Sequence, residues 1–181
     1  MTIVAVISSP ERGGNTDTVV NAIARSAQEN GKDVKVFYLN PMTSRKGCQA
    51  CFACKSKGKC VQNDDLSPVL DAIRDAEGVI LSTPVYFGEA CGQYRLLEDR
   101  FFSFLDGTFK PNIATGKKLG IVVAAGSGGA DKLADKIEAV LCQFFKFDVV
   151  GKITFNTANN RDFAKNNPDL LAQAADLGKK F

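Results

Sequence analysis

Five short apolar runs, each followed by a stretch of helical periodicity, restrict most strongly how this chain can fold. The runs are Thr2–Ile7, Asp33–Leu39, Gly78–Ser82, Lys118–Ala125 and Asp148–Phe155. They are mostly continuous and rich in valine and isoleucine, as expected of strands covered on both faces. Between them apolar residues recur three and four apart: Val19, Val20, Ile23, Ala24 and Ala27, then Leu66, Val69, Leu70 and Ile73, then Leu133, Ile137, Val140 and Leu141. Asp64 or Asp65 starts the second of these helices. Another spans about Gly92 to Phe104, and a last one begins at Pro168 behind Asn167 and runs nearly to Phe181. Strands alternating with helices make a parallel sheet with a helical layer on each side. The 181 residues carry no linker, repeat or low-complexity segment, so one domain over 1–181 is expected.

A five-stranded parallel sheet in the flavodoxin-like order 2-1-3-4-5, a three-layer sandwich, puts its ligand crevice outside the carboxyl ends of strands one and three. Strand one leads into Ser8-Ser9-Pro10-Glu11-Arg12-Gly13-Gly14-Asn15-Thr16 and then a helix. Free amides and the dipole at a helix start attract anions, and Ser9, Arg12, Asn15 and Thr16 can add donors. Asn15 or Thr16 can cap the helix. An ordinary capped turn reads the same way, and the loop is neither a Walker loop nor G-x-G-x-x-G. Strand three runs into Thr83-Pro84-Val85-Tyr86-Phe87-Gly88, an aromatic, proline-stiffened turn suited to a flat ring. Strand four ends in Gly126-Ser127-Gly128-Gly129, where backbone can approach a ligand closely. Together the three loops suit FMN. Packing against the following helix is the other role open to Tyr86 and Phe87.

Residues 47–60 read GCQACFACKSKGKC and hold four of the six cysteines: Cys48, Cys51, Cys54 and Cys60, spaced C-x2-C-x2-C-x5-C. Two-residue gaps let sulfurs turn toward a common point, which a metal centre requires. Arg45, Lys46, Lys55, Lys57 and Lys59 flank them and would stabilise an anionic iron–sulfur cubane. A four-cysteine zinc more often shows two separated pairs. Disulfides and metal-free reactive thiols stay open, since cations suit thiolates too. The run differs from the bacterial ferredoxin pattern, whose fourth cysteine follows three residues and precedes proline. Cys91 and Cys142 lie outside the run and are not expected to be ligands.

With no histidine in the chain, Ser-His-Asp and Cys-His catalysis and histidine-ligated zinc are excluded. Chemistry must come from cysteines, backbone amides or a cofactor, and no catalytic side chain is expected. A formal net charge of +3 is too small to argue for nucleic acid. The opening residues lack a basic n-region, and no apolar stretch approaches the roughly 18 residues of a membrane span. A cytoplasmic protein that does not engage membranes is expected.

The order of strand, S-x-P-x-x-G-x-N-T, C-x2-C-x2-C-x5-C and P-V-Y-x-G resembles the iron–sulfur flavoproteins, within the wider NAD(P)H-dependent FMN reductase group of flavodoxin-like fold. The likeness runs from Met1 to about Gly129. It implies FMN phosphate binding by Ser9, Arg12, Asn15 and Thr16, and an isoalloxazine ring bordered by Pro84, Val85, Tyr86, Phe87 and Gly88. Gly126, Ser127 and Gly128 stand beside that ring. It further implies a [4Fe-4S] cluster on Cys48, Cys51, Cys54 and Cys60, and a homodimer or homotetramer. Two positions depart from the family's habit: Ser8 replaces a common glycine, and Glu11 a frequent arginine. The expected function is an FMN-dependent oxidoreductase or electron-transfer flavoprotein. It would move electrons from NAD(P)H or a ferredoxin-like donor to an acceptor such as a small-molecule redox substrate. The alternatives are a cluster-free NAD(P)H-dependent FMN or quinone reductase, and a non-enzymatic thiol sensor or metal-binding module.

Overall fold

The computed structural model describes residues Met1–Phe181. Strands β1 (Thr2–Ile7), β2 (Asp33–Tyr38), β3 (Gly78–Tyr86), β5 (Lys118–Ala125) and β6 (Asp148–Asn156) are parallel neighbours in the order β2-β1-β3-β5-β6. The expected five-strand order therefore holds for the parallel strands, and the architecture is flavodoxin-like. A sixth strand was not expected. β4 (Glu89–Ala90) pairs antiparallel with the end of β3, Val85 opposite Ala90 and Tyr86 opposite Glu89. Phe87 and Gly88 form the two-residue link, both with positive φ (52° and 82°), the geometry of a type I′ hairpin turn. Proline and aromatics made this stretch read as a turn alone, whereas β3 extends four residues past the expected Ser82 before turning.

Successive side chains of a buried strand face opposite layers. Ile3, Ala5, Ile7, Ile80, Val122 and Ala124 pack against α1 (Asn15–Glu29) and α6 (Pro168–Gly178). Val4, Val6, Val79, Leu81, Ile121 and Val123 pack against α3 (Ser67–Asp75), α4 (Gly92–Arg100) and α5 (Ala130–Phe145). Helix α6 starts as its sequence dictates: Pro168 occupies the first turn and the Asn167 side chain accepts from the Leu170 amide at 3.0 Å. Helix α1 differs, because Gly14 takes the cap position and neither Asn15 nor Thr16 caps it with a side chain. The helix expected to reach Phe104 tightens after Arg100 into a 3-10 turn over Phe101–Phe104. Val140 is only half-buried, while Leu133, Ile137 and Leu141 fill the core as expected. No helix is long and apolar enough to cross a membrane.

Candidate functional site

A cleft of about 400 Å³ opens at the carboxyl rim, where the loops after β1, β3 and β5 meet. Of the twelve residues expected around FMN it is lined by nine: Ser9, Asn15, Thr16, Pro84, Val85, Tyr86, Phe87, Gly126 and Ser127. Ser9 Oγ accepts from the Glu11 amide at 3.3 Å, which tightens the first loop. The amides of Asn15 and Thr16, in the first turn of α1, have no acceptor within the chain. Such donors beside a helix N-terminus form an anion-binding corner. Phe87 is fully exposed at the tip of the hairpin and Tyr86 is half exposed, so neither packs beneath the following helix. Burial, reinforced by the neighbouring Cys91 and Glu11, pushes the Tyr86 phenol up.

Three of the expected residues stand elsewhere. The Arg12 guanidinium stacks 3.7 Å from the centre of the Tyr38 ring. Gly88 supplies the second of the two left-handed positions of the hairpin turn, and Gly128 lies outside the cleft lining. Asn15 lines the cleft, but both ends of its amide are engaged. Nδ2 donates to the Asn160 carbonyl at 2.7 Å, and Oδ1 accepts from the buried Ala164 amide at 2.8 Å. Asn15 thereby straps α1 to the segment after β6.

That segment was missed by sequence reasoning. Thr157, Asn159, Asn160 and Arg161 complete the cleft, and Thr157 docks on the end of β5 through its amide, 2.8 Å from the Ala125 carbonyl. Ala158 and Asn159 both hold positive φ, which returns the chain toward β5. Arg161 Nε donates to Glu11 Oε1 at 2.7 Å, so the acid beside this anion-binding corner carries its own counter-charge. Glu11 raises the Arg161 pKa by hydrogen bond and charge. The Ala-Asn-Asn-Arg run was a sequence signal for a turn, without a signal for a ligand.

The cysteine run forms a second site. All six cysteines are free thiols: Cys48 and Cys51 are exposed, Cys60 is half-buried and Cys54 is buried. Left-handed Ala50, Phe52 and Gly58 bracket a five-residue helix α2 (Ala53–Lys57) and curl the chain. The four cysteines line one small cavity together with Phe52, Phe102 and Arg100. Arg100 is 1% exposed and reaches into the loop. Its Nε donates to Cys60 Sγ at 3.1 Å, and Nη1 donates to the Lys46 carbonyl at 3.1 Å and to Asp64 Oδ2 at 2.8 Å. Burial alone would push the Asp64 carboxyl up. The Arg100 guanidinium, the Lys46 amide and the Ser67 hydroxyl outweigh it and hold Asp64 below the usual carboxylate range.

Two flanking cations serve the fold instead. Lys55 donates to the Phe102 and Leu105 carbonyls at 2.6 and 2.7 Å, and Arg45 to the Leu39 and Asn40 carbonyls at 2.6 and 2.9 Å. No three acid, cysteine or histidine side chains converge on one point as a single ion would require. The two sites share no lining residue; Arg100, the last residue of α4, lines the cysteine cavity, whereas no residue of α4 lines the rim cleft. At the start of α4 the Cys91 amide donates to Thr83 Oγ1 at 3.1 Å and the thiol to the Ser8 carbonyl at 3.3 Å. Nine helical residues span about 13 Å.

The family model of the NADPH-dependent FMN reductases matches residues 1–162. The chain belongs to that family. The match takes in the segment after β6, Thr157 to Arg161. An iron-sulfur flavoprotein of Methanosarcina thermophila is 29% identical over 140 residues, 76% of this chain and 71% of the relative. Other curated iron-sulfur flavoproteins are matched over as little as 48% of their own length, so the chain spans about half to seven-tenths of these relatives. Among solved structures, a flavone reductase superposes with TM-score 0.76 at 20% identity, covering 99% of this chain and 61% of that one. An FMN-dependent NADH-azoreductase of Bacillus anthracis in complex with FMN superposes with TM-score 0.74 at 10% identity, covering 98% of both chains. These two likenesses establish the fold.

Proposed function

We propose that this reductase holds FMN in the rim cleft and a [4Fe-4S] cluster on Cys48, Cys51, Cys54 and Cys60, and couples a two-electron donor to one-electron acceptors. The carrying observation is the presence of two unlike sites in one domain. Free amides, an aromatic hairpin and a glycine loop share one cleft; four soft sulfur donors share a second cavity. When bound, FMN supplies hydride and single-electron chemistry, and the cubane supplies single-electron chemistry.

The chain's own residues do the positioning. Asn15 and Thr16 amides would take the phosphate, while the Arg161–Glu11 pair balances charge beside it. Pro84 and Val85 present the β3 edge to a flat ring, and Tyr86 and Phe87 border it. The small residues Gly126 and Ser127 let it approach the backbone after β5. For the cluster, the all-sulfur donor set has the softness that iron–sulfur centres take. A cubane carries its ligands on four corners of an extended body, which suits cysteines that share a cavity without meeting at one point. The Arg100 Nε already donates to Cys60 Sγ, the kind of contact that orients a ligand. NAD(P)H or a ferredoxin-like protein as donor, and a homodimer or homotetramer as the working form, complete this reading.

A second reading, an NAD(P)H-dependent FMN or quinone reductase whose cysteines bear no cluster, is favoured by the exposure of Cys48 and Cys51. One experiment separates them. Protein purified without oxygen should show the two visible flavin bands on a broad iron–sulfur shoulder, with about four iron and four sulfide per chain. Flavin bands with no iron would leave the second reading standing, and absence of both would refute the two together.

A further inference from the structure

Arg100 is among the most completely buried large side chains of the molecule, although it carries a full charge. A guanidinium withdrawn from water needs anions and acceptors on every N–H it presents. Asp64 supplies one carboxylate oxygen, and Lys46 and Cys60 supply a carbonyl and a sulfur. Nη2 has neither a partner nor contact with solvent. A fully buried cationic donor without an acceptor is rare enough in folded proteins to need an explanation. Arg100 lines the cavity that the four cysteines share, and it is the one basic side chain there. Two cations nearer the cysteines in sequence, Arg45 and Lys55, donate to backbone carbonyls instead.

We propose that Arg100 is the positioning residue of the [4Fe-4S] cluster: it orients Cys60 through Nε, and its unpartnered Nη2 donates to the anion that the four cysteines hold. This rests on the cluster reading above. The physical consequence is specific. A cubane on four thiolates gains one negative charge on reduction by one electron, with no proton required. A buried cation and hydrogen bonds to sulfur stabilise the more negative state and raise the reduction potential. Lysine is a poor substitute, because one ammonium cannot span Asp64, the Lys46 carbonyl and Cys60 in the way a planar fork does.

The test is anaerobic reconstitution with ferrous iron and sulfide of the parent, Arg100→Lys, Arg100→Gln and Asp64→Asn proteins. Iron per chain, bound FMN and the cluster potential (by EPR-monitored titration) are then measured. Arg100→Gln should make reduction at least tenfold less favourable, about 59 mV more negative for a one-electron couple. Arg100→Lys should fall between it and the parent. Asp64→Asn removes the ion pair but leaves the donor to Cys60, so its potential should not drop. That contrast separates cluster tuning from simple anchoring of the loop. If Arg100→Gln binds no iron or loses FMN with its fold, the Arg100→Lys potential decides. A parent potential in Arg100→Lys and in any iron-loaded Arg100→Gln overturns the role of Arg100 and leaves the cluster intact. A parent protein that takes up no iron and sulfide overturns both.

Discussion

Replacing Asn15 by alanine tests whether the first loop acts on the ligand directly or through the strap it forms with the segment after β6. The substitution deletes two hydrogen bonds, to the Asn160 carbonyl at 2.7 Å and from the Ala164 amide at 2.8 Å. A net bond of this kind contributes about 0.5–1.5 kcal/mol, and a buried donor left unpaired costs about 1–3 kcal/mol. The Asn160 carbonyl is near solvent and can rehydrate. Ala164 is fully buried, so its amide cannot. The expected loss is therefore about 2 kcal/mol in FMN-free protein, or roughly 4–8 °C in Tm for a chain of this size. FMN affinity should fall as well, by about three- to tenfold, because Thr157, Asn159, Asn160 and Arg161 all ride on the loosened segment.

The assay pairs urea denaturation of FMN-free protein with flavin fluorescence titration. Asn15→Asp serves as the control: it keeps an acceptor for Ala164 and should recover about half of the lost stability, while its charge beside the phosphate corner keeps FMN weak. The strap is refuted if Asn15→Ala leaves flavin-free stability at the parent value while FMN binding weakens by about tenfold or more. That pattern would put the Asn15 amide on the phosphate itself.

Gly126→Ala places a methyl group against Asn159 Oδ1 and should push that side chain into the cleft, weakening FMN by about tenfold; parent affinity in a fluorescence titration would show that the β5 loop does not border the flavin. The Asp64 carboxyl sits below its ordinary value of 3.8, so its ionised form stabilises the fold; that contribution is present above pH ~3.8 and disappears as pH falls through the depressed folded value. Acid titration of stability should thus be steeper in the parent than in Asp64→Asn below about pH 4, and identical slopes would count against the pairing with Arg100. Cys91→Ser and Cys142→Ser should leave iron content unchanged, since their thiols donate to the Ser8 and Phe147 carbonyls away from the cysteine cavity; loss of half the iron in either would redraw the ligand set.

The parallel strands were legible because burial on both faces demands apolar residues at every position, and that demand is written locally. The loops after β1, β3 and β5 were legible for a similar reason: strand ends are fixed by the runs, and topology brings those ends together. β4 was not legible. Two residues, Glu89 and Ala90, carry no period, and the sheet pairing depends on left-handed Phe87, a conformation that aromatic residues seldom adopt and sequence does not advertise.

Arg100 shows the deeper limit. Its partner Cys60 lies 40 residues earlier, and on sequence Arg100 is simply a basic residue at the end of a helix, as the helix dipole favours. The five cations beside the cysteines drew attention because proximity in sequence looked like proximity in charge. Folding reverses that inference. Two residues close along the chain to the thiols are drawn to backbone carbonyls instead: Arg45 to Leu39 and Asn40 just before the run, and Lys55 to Phe102 and Leu105 in the turn after α4. A cation delivered from a separate, rigid helix can be buried against the sulfurs, because α4 fixes its backbone and Asp64 holds one side of its fork. The residue before the same helix, Cys91, is tied to Thr83 and Ser8, whose neighbours Pro84 and Ser9 line the rim cleft. A displacement of α4 along its axis would therefore carry Cys91 and Arg100 together, one beside the strand ends that border the cleft and the other in the cysteine cavity.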